Sequence, residues 1–177
     1  SSAVDAALAR YNAENLQITF QRVPSGGDIN IRLVNTRQYI ASAGFPTNQG
    51  DPYHEVKYSA GYANYSAGFM TTVVAHELGH CIGFRHTDYM NRSYSCGGSG
   101  GNEGASTVGA VHIPGTPTNV NGNYNSWMMA CTVIRGLSEF DESWKTICMV
   151  RRNSRILFGV SEARGCPCTV TRPRSGA

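Results

Sequence analysis

His76-Glu77-Leu78-Gly79-His80-Cys81-Ile82-Gly83-Phe84-Arg85-His86-Thr87-Asp88 is the stretch whose reading decides the fold. In a helix, residues four apart share a face, so His76 and His80 present two imidazoles to one ion, with Glu77 one position further round. Gly83 adopts a left-handed backbone conformation without steric cost, which ends the helix and turns the chain. His86 then returns toward the same point. Three neutral nitrogens leave one tetrahedral position open, as in a catalytic rather than a structural zinc ion. The plain alternative is an amphipathic core helix whose three histidines are surface or hydrogen-bonded groups.

Val73, Val74 and Leu78 give the face away from the histidines something apolar to bury, which predicts a helix over residues 71–82. Upstream, the alanine-rich residues 3–13 place Val4, Leu8 and Tyr11 at helical spacing behind Ser2 as a cap. Residues 17–23 and 29–34 alternate apolar and polar around the turn Pro24-Ser25-Gly26-Gly27, and 38–45 and 56–62 are two further extended segments about a turn-rich 46–52. The expectation is an α+β chain: a twisted, mostly parallel sheet of about four strands packed on two helices. Downstream the chain reads as an irregular C-terminal lobe. Residues 96–104 are too glycine-rich for regular structure and suit a flexible rim or linker, and 108–117 run as a short strand into a proline-fixed loop. Ser138-Glu139-Phe140-Asp141 has the form of a capping box before a helix over 139–150, residues 155–160 return as a strand, and 172–177 fray. No internal repeat is visible.

At 177 residues with 41% hydrophobic content, the chain is long enough for a real core. It is expected to form a single catalytic domain over 1–177, with an N-terminal lobe over 1–86 and a C-terminal lobe over 87–177. A net charge of +3 lacks the clustered basic face of a nucleic-acid binder; the run Arg151-Arg152 to Arg155 reads as solvated surface. No stretch of about 18 apolar residues predicts a membrane span. Six cysteines, an even number, and 15% charged residues with 20 glycines fit an extracellular surface and a secreted, disulfide-containing protein. The Cys166-Pro167-Cys168 spacing is not that of a zinc knuckle. A signal peptide and a pro-segment are expected to have been removed from a precursor, and a monomer is expected.

The pattern HExxHxxGxxH resembles the metzincin zinc endopeptidases at every fixed position, and Asn125-Ser126-Trp127-Met128-Met129-Ala130 resembles their methionine turn. Within that group the chain is similar to the bacterial dual-action HEIGH metallopeptidases over residues 76–89, Gly97-Gly98, Glu103-Gly104, Ile113-Pro114-Gly115-Thr116-Pro117, the methionine turn and Phe140-Asp141. Astacin-like and myroilysin-like enzymes are near relatives by the same motif. Thr87 stands where astacins carry a glutamate, and Ala130 where they carry a tyrosine.

The resemblance implies a metzincin-type zincin fold and a secreted endopeptidase acting on extended protein or peptide substrates. It implies one catalytic Zn2+ on His76, His80 and His86, with Glu77 activating the water as general base and then acting as acid. Met128 is implied as an apolar floor and Gly83 as the turn that brings His86 round. Thr87 and Asp88 are candidate supports for the ligands. An exposed edge strand that pairs with substrate is also implied, with residues 41–45 as the candidate. Two other functions stay open: a zinc-stabilised binding module without catalysis, which has no need of Glu77, and an exopeptidase or small-amide hydrolase.

Accessory readings are plainer. Asp51, Asp88 and Glu103 are candidate Ca2+ ligands, and His54 and His112 read as ordinary imidazoles. Cys81 pairing with Cys96, and a clip from Cys148 to Cys166 or Cys168, are candidate disulfides among the 15 connectivities that six cysteines allow.

Overall fold

The computed structural model describes residues 2–14, 16–62, 64–98, 101–104, 126–131, 159–160 and 170–171. The expectations for residues 108–117, 139–150 and 172–177, for His112, and for Cys148, Cys166 and Cys168 fall outside them. The chain divides into two compact units, Ser1–Ile82 with Asn153–Ala177, and Gly83–Arg152.

In the first unit α1 covers Ser2–Ala13, so Ser2 is the first helical residue rather than the cap. Val4, Ala7, Leu8 and Tyr11 are its buried residues, a spacing of three, one and three that draws one stripe down the helix. The stripe faces α2, Ala67–Cys81: the Tyr11 hydroxyl donates to the Ala75 carbonyl at 2.7 Å, and Arg10 Nη1 donates to Thr72 Oγ1 at 2.9 Å. Ser66 caps α2, its hydroxyl accepting the Phe69 N–H at 3.2 Å. From Met70 to Cys81 every residue of α2 except Glu77 is buried. Such a helix must satisfy its own polar groups, and it does: Thr71 and Thr72 return their hydroxyls to the carbonyls of Ala67 and Gly68.

The sheet has β1 at Asn30–Val34, β2 at Ala41–Ala43 and β3 at Glu55–Ser59, in the order β1-β3-β2. β1 pairs with β3 in parallel, bringing Ile31 beside Val56, whereas β2 pairs with β3 antiparallel, Ala43 opposite Val56. A 3-10 turn at Ala60–Tyr62 follows β3. The mostly parallel, four-stranded sheet of the sequence reading is therefore three mixed strands among the described residues. Residues 35–40 are too short to return the chain to the starting end of β1, which a parallel strand would need, so β2 runs back.

Residues 17–23 form no strand beyond a single bridge residue at Ile18. The Phe20 backbone is held by a side chain instead: Asn12 Oδ1 accepts its N–H at 2.7 Å and Asn12 Nδ2 donates to its carbonyl at 2.8 Å. The Phe20 ring packs on Tyr11, with centroids 5.0 Å apart. A short antiparallel pair, β4 at Gly159–Val160 and β5 at Val170–Thr171, also lies in this unit. No helix among the described residues is long and apolar enough to cross a membrane.

The second unit contains α3, Ser93–Cys96, and the turn over residues 126–131. A disulfide joins Cys96 to Cys131. The expected Cys81–Cys96 pairing is thus overturned. Cys81 is a free, buried thiol at the end of α2, its Sγ 4.0 Å from the Glu55 carbonyl, in the apolar layer between helix and sheet. Burial, with the charge of Glu77 nearby, pushes that thiol well above its ordinary value, so it is inert rather than reactive.

Candidate metal centre

α2 supplies the first two candidate ligands. His76 and His80 are one turn apart and buried, with rings perpendicular at a centroid distance of 4.6 Å and the two Nε2 atoms facing each other at 3.0 Å. Two nitrogens of a tetrahedral zinc site stand about 3.3 Å apart when each bond is about 2.05 Å, so this pair fits one ion. The Phe45 ring meets His80 edge to face at 5.1 Å.

Helix α2 stops at Ile82, and Gly83 follows with φ of 103°, the left-handed region its sequence position predicts. His86 comes three residues later. The ligating atoms of His76, His80 and His86 all lie within 4.8 Å of one another, so the three could hold a metal ion. Neutral imidazoles at this spacing suit zinc, a borderline-soft cation.

Glu77 sits between the two helical histidines in sequence, and its carboxylate accepts a hydrogen bond from the Ala43 backbone N–H of β2. Burial pushes its carboxyl up to about 7, with the Ala43 bond pulling the other way. A bound cation favours the carboxylate and lowers that value. β2 lies at one edge of the described sheet.

In the second unit the segment after His86 is bound to the turn over residues 126–131. Thr87 donates its N–H to the Met128 carbonyl at 2.9 Å. Asp88, fully buried, accepts the Ala130 N–H on Oδ1 at 2.9 Å and the Ser95 hydroxyl on Oδ2 at 2.5 Å. Ser95 in turn accepts the Cys131 N–H at 3.0 Å. Inside the turn, Ser126 Oγ accepts the Met128 N–H at 3.1 Å, and Ser126, Trp127, Met128 and Met129 are all buried.

His86 Nδ1 lies 2.6 Å from Glu103 Oε1, and Arg92 Nε approaches the same oxygen at 3.2 Å. Burial raises the Glu103 carboxyl, but the His86 hydrogen bond and the charges of His86, Arg92 and Arg85 outweigh it and hold Glu103 below its usual range. The calcium role expected of Asp88 and Glu103 finds no support: both carboxylates are engaged by protein donors, and neither belongs to the cluster that could hold a metal. His54, as its plain reading expects, is exposed, its ring tilted against Tyr53 at a centroid distance of 4.8 Å, and is not part of that cluster.

Sequence reading assigned no such partner to His86. A signal was present: Glu103 is the only carboxylate between Asp88 and Glu139. Ser95 carried none.

The profile of the dual-action HEIGH metallo-peptidase family matches residues 1–149. The chain belongs to this family. It is accordingly a zinc metallopeptidase, a hydrolase of protein or peptide substrates, and its three-histidine cluster is able to bind the metal. No curated protein and no solved structure matches the chain.

Proposed function

We propose that this HEIGH metallopeptidase is a secreted endopeptidase of the metzincin type, which cleaves extended protein substrates. The observation that carries the reading is the gathering of three imidazoles within 4.8 Å around a helix that also bears Glu77. Zinc, when bound, supplies a Lewis acid for the scissile carbonyl and lowers the pKa of water toward neutrality. Glu77 takes a proton from the attacking water on a carboxylate oxygen, as water oxygen bonds to the carbonyl carbon. It then delivers that proton to the departing amine nitrogen as the C–N bond breaks. The Ala43 N–H fixes the carboxylate for both transfers.

The same strand offers an edge: among the described strands β2 pairs only with β3, and a peptide added beside it gains main-chain hydrogen bonds whatever its side chains. That supports extended substrates over small amides. His76, His80 and His86 hold the metal, Gly83 sets the approach of His86, and Met128, 1% exposed and bonded through its carbonyl to Thr87, provides the apolar floor. The Cys96–Cys131 disulfide supports an oxidising compartment, hence secretion.

The test is incubation with a long unstructured polypeptide, with products mapped. Internal cuts that stop on chelation and resume with added zinc are expected. Release of terminal residues alone would make the chain an exopeptidase. Cleavage untouched by chelation would refute the zinc mechanism.

A further inference from the structure

The second unit presents a carboxylate whose contacts the hydrolytic mechanism does not use. Glu103 sits in a short loop stitched to the segment that follows His86: its backbone N–H donates to the Tyr89 carbonyl at 2.7 Å, and Arg92 N–H donates to the Gly101 carbonyl at 3.4 Å. These bonds place the side chain where Oε1 meets His86 Nδ1 at 2.6 Å. Gly104, which follows Glu103, has φ 80°, a conformation that turns the chain sharply just after it. Both the His86 and Glu103 side chains are mostly buried, at 19% and 17% exposure, so little water competes for the bond.

A neutral imidazole carries one N–H and one lone pair, and the bond made by one nitrogen decides which the other has. With Nδ1–H donating to Glu103, the proton is fixed on Nδ1 and Nε2 keeps its lone pair for a metal. Arg92 Nε at 3.2 Å from the same oxygen favours the anionic carboxylate that accepts the bond. The carboxylate also makes the imidazole a better donor to a cation.

We infer that Glu103, backed by Arg92, is a positioning residue that sets the tautomer and ring orientation of His86 and thereby the zinc affinity of the centre. The inference rests on the metal-centre reading above and deepens it. Glu103 touches neither substrate nor reacting atoms; it acts through His86.

The experiment measures zinc dissociation constants by chelator competition on metal-stripped full-length chain, for wild type, Glu103→Ala and Glu103→Gln. The visible absorption of the cobalt(II)-substituted proteins and the melting temperature of each metal-free protein are recorded alongside. Glu103→Ala is expected to weaken zinc by about 10–100-fold and to alter the cobalt spectrum. Glu103→Gln keeps an acceptor oxygen without the charge, and is expected to fall between the two. Zinc affinity within twofold of wild type in Glu103→Ala, with an unchanged cobalt spectrum, would overturn the inference while leaving the metal centre standing. Equal losses in both variants, accompanied by a lower melting temperature of the metal-free chains, would overturn it in favour of a structural role. A wild-type chain without tight zinc would overturn the metal-centre reading and the inference with it.

Discussion

Asp88 shows how much one carboxylate outside the chemistry can hold. It is fully buried, and its two oxygens take the Ala130 N–H and the Ser95 hydroxyl, so residues 88, 95 and 130 meet on one group. Removing it strands the buried Ser95 hydroxyl and the part-buried Ala130 N–H, and each such hydrogen bond to a charged group contributes about 1.5–3 kcal/mol. Asp88→Ala is therefore expected to lose on the order of 3 kcal/mol of stability, read as a shift of the urea midpoint. An unchanged midpoint would mean that the turn over residues 126–131 stands without Asp88. The histidines were legible in the sequence because their spacing is local: four residues fix a helix face. The partners of Asp88 were not, because residues 95 and 130 reach it through folding and no period in the sequence marks the meeting.

The element that matters most is the end of α2. Helix, turn and third histidine occupy residues 67–86, and the turn after the Ile82 cap is made at Gly83, with φ 103°. A side chain there strains the backbone by about 1–3 kcal/mol, and the chain can relieve it only by shifting residues that lead directly into His86. Gly83→Ala is expected to lower stability by that amount and to weaken zinc in the same variant. Stability and zinc affinity both equal to wild type would show that Gly83 is not required. Elements read well from sequence where the apolar pattern is unambiguous: Val4, Leu8 and Tyr11 do form the buried stripe of α1. Residues 17–23 misled because extended, half-buried chain can satisfy its backbone from a side chain, here Asn12, and alternation alone does not distinguish that from a strand. The antiparallel course of β2 was hidden for another reason: strand direction follows from connection length and neighbour order, not from residue type.

Across the whole molecule, the family match over residues 1–149 takes in residues of both compact units. The first unit is built on a helix buried nearly all round, and the second is tied within itself by Asp88, Ser95 and the Cys96–Cys131 disulfide. An even cysteine count pointed to disulfides but not to this one, since pairing is set by which thiols folding brings together. In the proposed zinc centre the proton transfers are made by Glu77. The most direct test of that role is a side-by-side measurement of bound zinc and polypeptide cleavage in wild type and Glu77→Gln. One tightly bound zinc per chain is expected in both, with cleavage by the variant reduced by about 100-fold or more. A zinc-loaded Glu77→Gln protein that cleaves at the wild-type rate would contradict the account.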